Sequence, residues 1–562
     1  MTDLGSALLR TALKLLLGLY LFYKLFSFAR HYIHARHAGF PIFVSPVFSK
    51  AIPFLVLAPA LQPVLRKYLP EWIYDRLDLL ILGWEFRSKR RYQERLGKVF
   101  SIVTPDECAL VVADADIGTL ILQRKNDFLQ APITATFMGF LGPNIFTNNG
   151  DEWKRHRRLF SANLDERISR TVWTEGCQQS VTMRDYMAGR AGGETLDGLR
   201  SLAVNVIGQA GYSQKQPWSP QLRELGMHTG TDDRTAYFST LSMIANAFVQ
   251  AALVPSWVLR LPTMPSSIQT LGYHLQRIPE YTKSVLNEER SIIENESGAR
   301  SNFLSLLVRL SDAEKRSKTG FSLTDEEISG NLFVFTTAGF ETTANTMGYS
   351  VALLAAHPQY QDWLREELQG LDLDPTTWAY DDVFPKCKRT LAIMLETLRL
   401  FPPVLHSMRA IHESQQFVSE RGTHSLFPPM DIFISQAAIH LDPEYWGPDP
   451  EAFRPTRWID GAGQVITPAK GTFIPWSEGA RMCPGMKMSQ VEFVSTIATL
   501  FRSSKCEVLP TGGLYRAEDL QQRLKDLMAD SVTKLTLQFR DPNAVLLHWM
   551  QDGFCEESVV NT

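Results

Sequence analysis

A single cysteine in a glycine-punctuated loop, set just ahead of an amphipathic helix, constrains this chain more than any other feature. The segment reads Phe473-Ile-Pro-Trp-Ser-Glu-Gly-Ala-Arg-Met-Cys-Pro-Gly485. Gly479 and Gly485 flank Cys483, with Pro484 between the cysteine and the second glycine. Such glycines allow tight turns and a close approach of backbone to a flat ligand. The helical pattern over 485–503 begins just past the cysteine, so its first amides point towards the sulfur. Those amides and the helix dipole favour a thiolate over a thiol. A lone cysteine is ordinarily a small buried hydrophobe. The neighbouring glycines, the proline and Arg481, whose planar fork suits a carboxylate, argue instead for a sulfur that carries a ligand.

The rest of the chain sets the frame for that loop. Its 562 residues are 44% hydrophobic and 21% charged, which supports a large globular core. A formal charge of -3 lacks the basic excess that a nucleic-acid binder needs. Cys108, Cys177, Cys387, Cys483, Cys506 and Cys555 are scattered, which fits a reduced compartment better than a disulfide scaffold.

From Leu4 to Ala29 the chain is mostly apolar, interrupted by Arg10, Lys14 and Lys24. A membrane span needs ~20 mainly apolar residues, and cations within it must snorkel to the interfaces. No small-residue cleavage site follows, which argues against a removable signal peptide. Arg30, His31, His34, Arg36 and His37 come next, so the positive-inside tendency places the body in the cytosol. Residues 1–30 are expected to form one transmembrane anchor, the alternative being a helix lying on the membrane surface. Residues 31–75 are expected to be a proline-rich, membrane-proximal linker. Pro41, Pro46, Pro53, Pro59 and Pro63 argue against one straight helix there and leave a hinge or a membrane-dipping segment.

Residues 76–562 read as one large domain, α+β but mostly α. Amphipathic helical patterns run over 151–189, 271–297, 325–356, 358–369 and 485–503. Extended signals fall at Val99 to Val112, Lys534 to Phe539 and Ala544 to Met550, so small β-sheets accompany the helices. There is no second catalytic module, so an electron donor is expected to be a separate protein.

Three further constellations stand out. Glu396-Thr-Leu-Arg399 lies in the helical run Thr390 to Leu400, which Pro402-Pro403 ends. Its i,i+3 pair shares one face, a spacing that on a surface is worth only ~0–1 kcal/mol. Ala338-Gly-Phe-Glu-Thr-Thr343 interrupts an apolar helix. There Gly339 lowers helix propensity and Thr342 can turn its hydroxyl onto a backbone carbonyl, so a local groove is expected. In Gly150-Asp-Glu-Trp-Lys-Arg-His-Arg157, Trp153 and Arg157 share a face. Lys154, Arg155 and Arg158 read as a solvated basic face suited to an acidic electron donor.

Together these segments resemble the cytochrome P450 superfamily. Its haem-binding signature, Phe-x-x-Gly-x-Arg-x-Cys-x-Gly, is matched at Trp476, Gly479, Arg481, Cys483 and Gly485, with Trp where the family usually has Phe. The Trp-x-x-x-Arg, acid–Thr, Glu-x-x-Arg and Arg-Trp stretches (Phe453-Arg-Pro-Thr-Arg-Trp458) follow in the family's order between Val99 and Leu509. The resemblance implies a cytochrome P450 fold holding heme b, with the Cys483 thiolate as axial iron ligand. It implies that Arg481, Trp153, Arg157 and Arg409 bind haem propionates, with Trp476, Gly479 and Gly485 shaping the loop. Glu396, Arg399 and Arg457 are implied to form a buried triad that supports the fold, and Glu341 and Thr342 to deliver protons to bound dioxygen.

The implied activity is monooxygenation of a lipophilic small molecule with electrons from NADPH-cytochrome P450 reductase, cytochrome b5 being a second candidate donor. The motif wording and long N-terminus resemble fungal microsomal members, which implies a single-pass endoplasmic reticulum protein acting in secondary metabolite biosynthesis. Fatty-acid or xenobiotic hydroxylation is the alternative, as is a reductase-independent isomerase or dehydratase, though such members often lack the acid–Thr pair. A non-catalytic membrane protein is disfavoured by the intact cysteine loop. The resemblance also implies a pocket lined from Phe128 to Phe146, Leu199 to Leu261, Asn331 to Thr342 and Val404 to Ser407, with Trp257 near a membrane-facing entrance.

Overall fold

The computed structural model describes residues 2–220, 236, 237, 240, 241, 243, 244, 247–295, 302–317, 322–420, 422–510, 513 and 516–551. The chain forms two compact units. The first comprises Met1–Pro132, Leu405–Tyr445 and Lys470–Arg481, and the second Ile133–Val404, Trp446–Ala469 and Met482–Thr562.

The first unit is built on a five-stranded sheet in the order Ile42–Val44, Val99–Val103, Cys108–Val112, Met430–Ser435, His406–Ile411. The extended signal at Val99 to Val112 is two strands that pair antiparallel, with Ser101 opposite Leu110. Every residue of these two strands is buried. That accounts for their near-continuous apolar sequence, since a strand covered on both faces does not alternate. Leu110, Val112, Ile432 and Ile434 form the core with Ile121 and Phe128.

The N-terminal helix does not stop at Arg30 but runs unbroken over Thr2–Ala38. Its last third lies on this core: Ala35 and Ala38 are fully buried, and the buried His31 ring meets the Thr104 carbonyl at 2.9 Å. The proline-rich stretch also departs from expectation, because Ile52–Tyr68 is one helix with Pro59 and Pro63 inside it. Pro53 sits in its first turn, where a missing N–H costs nothing. Only Ala58 and Gln62 of this helix are buried, so little packing opposes the backbone adjustments that the internal prolines require.

The second unit is helical. The pattern read over 151–189 is two helices, Gly150–Asn163 and Glu166–Met187. Asp165 breaks them by capping the second, its side chain accepting from the Arg167 and Ile168 N–H groups. The helices Asp325–Ala356, Pro358–Leu368 and Met486–Arg502 fall where the periodicity places them. The first is buried over most of its length and opens with a capping box between Thr324 and Glu327. It packs on Glu194–Tyr212 through small residues: a Cβ on Gly339 would lie 2.7 Å from Ile207 Cδ1. Leu537–Phe539 and Leu547–Gln551 realise the C-terminal extended signals, in a two-stranded and a three-stranded sheet.

Candidate active site

In the second unit, Cys483 is half-buried and precedes the helix Met486–Arg502, whose N-cap is Gly485. The Gly485 N–H donates to the cysteine sulfur, and the Arg157 guanidinium lies close enough to favour its anion. Burial outweighs both and pushes the free thiol up from its ordinary value. A cation bound to the sulfur would reverse that balance, because metal coordination deprotonates a thiol outright.

Arg157 projects from Gly150–Asn163 and donates through Nη1 to the Met482 carbonyl at 2.8 Å, tying this helix to the residue before the cysteine. Burial holds its guanidinium below the usual arginine value. Trp153, one turn earlier, is buried. The neighbouring cations differ from the solvated face expected of them. Arg155 is tied to Glu327 and donates to the Ser322 carbonyl at 2.8 Å, so only Lys154 and Arg158 remain exposed. The same helix contributes His156, which sequence reasoning passed over. Its buried ring meets Glu327 Oε1 at 3.2 Å and Asn331 Nδ2 at 2.8 Å, joining this helix to the first turns of Asp325–Ala356.

The acid–alcohol pair sits mid-helix with separate partners. The Thr342 hydroxyl donates to the Ala338 carbonyl at 2.8 Å, as expected. The expected opening of the helix does not follow, because helical structure continues through Gly339 and that glycine serves close packing against Ile207. Glu341 is buried and paired with Arg200 of Glu194–Tyr212. Asn345 Nδ2 adds a bond to Oε1 at 3.4 Å. Gln538, with its amide nitrogen turned to Glu341, adds another at 3.3 Å and accepts from Lys534 Nζ at 3.0 Å. Burial, with Arg200 nearby, holds Lys534 below its ordinary value. Arg200 lies 141 positions from Glu341 in sequence, so no local spacing could have paired them.

Glu396, Arg399 and Arg457 are brought together. Arg399 clamps Glu396 bidentately, Nε to Oε2 and Nη2 to Oε1, both at 2.8 Å. Arg457 Nε reaches Oε1 at 3.1 Å. Two further donors complete the carboxylate: Trp458 Nε1 at 2.9 Å and the Arg454 N–H at 2.8 Å.

In the first unit, Arg409 lies on the strand His406–Ile411 and is 4% exposed. It donates to Gln130 Oε1 at 3.2 Å and to the Met408 carbonyl at 2.8 Å, while its Nε has no acceptor among the described residues. No carboxylate faces it, and burial pulls its pKa down to about 10. A buried guanidinium with an unused donor fits an anionic group such as a haem propionate. Gly479 opens the short turn Gly479–Arg481 at a φ of 73°, and a Cβ there would lie 2.7 Å from the Leu122 carbonyl oxygen. Both conditions demand glycine. Trp476 is half-buried, its ring set edge-on to Phe473 at 6.3 Å.

Of the expected pocket segments, residues 221–235, 238, 239, 242, 245 and 246 lie outside the described residues. Among those described in the second unit, Phe140 meets Phe333 at 5.2 Å and Phe137 stacks with Phe248 at 5.9 Å. Trp257 is 63% exposed.

Comparison with known proteins agrees with this geometry. The family model described as Cytochrome P450 matches residues 79–525. The phomenoic acid biosynthesis cluster cytochrome P450 monooxygenase of Leptosphaeria maculans is 29% identical over 539 residues, covering 88% of this chain and 91% of its own. Cytochrome P450 monooxygenase prx9 of Penicillium rubens is 26% identical over 562 residues, covering 93% and 95%. Among solved structures, retinoic acid bound cyanobacterial CYP120A1 superposes with a TM-score of 0.63 at 16% identity, over 83% of this chain and 94% of that one.

Proposed function

The chain belongs to the cytochrome P450 family, and on that premise we propose a haem-thiolate monooxygenase that oxidises a lipophilic small molecule of secondary metabolism with reductase-supplied electrons. The observation that carries the proposal is the half-buried Cys483 sulfur at a helix N-terminus, faced by the Gly485 N–H and the Arg157 guanidinium. The Leptosphaeria relative is named for a biosynthetic cluster, which supports the substrate class.

The residues divide the work. Cys483 would hold the iron through sulfur, with the Gly485 N–H bond tempering the negative charge on that atom. Arg157, Arg409, Arg481 and Trp153 would take the propionates, and the unused Arg409 Nε is the strongest support for that assignment. When bound, the haem supplies the redox chemistry that activates dioxygen. The Thr342 hydroxyl has its proton committed to the Ala338 carbonyl, so its oxygen is left to accept a hydrogen bond. Glu341, held in place by Arg200, is the group behind it that takes up protons from outside and passes them on. Glu396, Arg399 and Arg457 carry no chemistry in this scheme; they hold the end of Lys388–Leu400 to the segment containing Trp458.

The proposed setting is the endoplasmic reticulum membrane, with a single N-terminal anchor, a cytosolic body, and NADPH-cytochrome P450 reductase and cytochrome b5 as electron donors. The test is expression in microsomes with the reductase. Reduced, carbon-monoxide-treated membranes should show the long-wavelength Soret band of a thiolate-ligated haem, and Cys483→Ser should abolish it together with turnover. Oxidation of candidate polyketides or terpenoids should require NADPH; product formation without NADPH would point to the isomerase or dehydratase reading instead.

A further inference from the structure

We propose that the helix Ile52–Tyr68 is a second membrane contact, lying in the lipid interface beside the point where the N-terminal helix leaves the bilayer. The proposal rests on reading that N-terminal helix as the anchor.

The depth of the anchor is marked on the helix itself. Up to Tyr23 its described side chains are exposed and mostly apolar, Leu13, Leu16, Leu19 and Phe22 among them. From Lys24 onward a stripe at helical spacing turns onto the first unit. Lys24 pairs with Asp106 and lies 5.7 Å from the Phe48 ring centroid, Ser27 and His31 are buried, and Ala35 and Ala38 follow. The protein surface therefore begins at Lys24. The helix before it measures about 30 Å, one hydrocarbon thickness. Arg10 and Lys14 lie inside that length and weaken it as a sole attachment.

Phe48, beside Lys24, leads within four residues into Ile52–Tyr68. This helix is amphipathic in the wrong sense for water. Ala58 and Gln62 face the protein, where Gln62 donates to the Tyr74 hydroxyl at 2.6 Å. The neighbouring stripe, Leu57, Leu61, Val64 and Tyr68, is 53%, 48%, 52% and 71% exposed, and Trp72 continues it at 69%. Exposed apolar stripes of this length mark interaction surfaces.

Three features choose a lipid interface over a protein partner. Arg66 and Lys67 flank the stripe, exposed, where anionic headgroups would meet them. Tyr68 and Trp72 are the aromatic types that collect at headgroup level. Pro59 and Pro63 lack N–H groups, so the Leu55 and Pro59 carbonyls lose their ordinary helical donors. An interface supplies water to such carbonyls; hydrocarbon does not.

The experiment places a small fluorescent amino acid, one position at a time, at Leu16, Leu61 or Glu413 of the full chain. The chain is then reconstituted in phosphatidylcholine–phosphatidylserine vesicles carrying nitroxide lipids labelled both near the headgroup and in mid-chain, so that an interfacial and a central position are each within reach. Quenching at 16 and 61 but not at 413 is the expected result. Quenching at 16 with none at 61 overturns the second contact and leaves the anchor standing. Quenching at 61 with none at 16 supports the contact and removes the anchor reading; none at either removes both. In a chain whose anchor is disabled by Leu15→Arg and Leu19→Arg, adding Leu57→Asp and Leu61→Asp should lower vesicle partitioning about tenfold or more, as the loss of two inserted leucines requires. Unchanged partitioning overturns the proposal, as does a concentration-dependent self-association that shields position 61.

Discussion

Two carboxyl groups on helices that pack against each other, Glu396 of Lys388–Leu400 and Glu492 of Met486–Arg502, are both sealed from solvent. Glu396 accepts from five donors, three of them on arginine side chains. Neither oxygen of Glu492 has a protein donor among the described residues. The difference is one of charge. Glu396 is a fully solvated anion whose solvent is protein. Glu492 has nothing to offset desolvation, which pushes its carboxyl well above the ordinary range so that it folds as the neutral acid. Equal burial therefore says nothing about how much a buried acid matters; the donor set decides.

The largest expected effect comes from breaking the satisfied member. Glu396→Gln leaves Arg399 and Arg457 without their anion in a closed interior, which should cost about 3–5 kcal/mol. In a protein of ordinary stability that removes a large part of the folding margin. Urea unfolding of the purified chain, or the yield of folded protein if too little survives to purify, measures it. A variant within ~1 kcal/mol of wild type would mean the network is worth no more than a surface pair.

Glu341 stands between the two extremes and sharpens the contrast. It is as buried as Glu492, but its charge is held by one guanidinium and two amides. Arg200→Gln removes the guanidinium and keeps a hydrogen-bonding amide on a shorter side chain. The expected cost is about 2 kcal/mol, the scale of a bond to a charged group, because Lys534 is near enough to take up part of the role. If Glu341 feeds protons towards Thr342, the same variant should also shift the pH profile of coupled turnover and raise the fraction of reducing equivalents lost as peroxide. A stability change with no shift in the profile would make Arg200 a purely structural partner.

These carboxylates also show where sequence reasoning reaches. The Glu396 triad was legible because two of its members lie one helical turn apart and the third falls in a short arginine–tryptophan stretch. The helices Pro358–Leu368 and Met486–Arg502 were legible because their apolar periodicity is what packs them, and Asp325–Ala356, buried on nearly every side, because its apolar run is long. Arg200 was not, since the contact that matters crosses from one helix to another. Ile52–Tyr68 was misjudged because prolines were weighed as helix breakers; where almost nothing packs against a helix, bending it costs little. For Glu492 a signal existed and was missed. It stands alone in the apolar run 491–501, with no Lys or Arg three or four positions to either side, so a partner would have had to come from another element.

The smallest expected effect, and the one whose sign tests the comparison most directly, belongs to Glu492→Gln. Below the unfolded-state value of about 4.3 the acid is neutral in both states, and its contribution is fully present. As pH rises past that value the unfolded chain ionises while the folded protein stays protonated, so stability falls towards the raised folded value. Glutamine has no such slope. The variant should match wild type to within ~0.5 kcal/mol near pH 4.5 and be the more stable of the two at pH 8, by a margin that grows as pH rises. Urea midpoints at the two pH values measure the difference. A Glu492→Gln protein less stable than wild type at both values would show that this carboxyl has donors after all and behaves like Glu396.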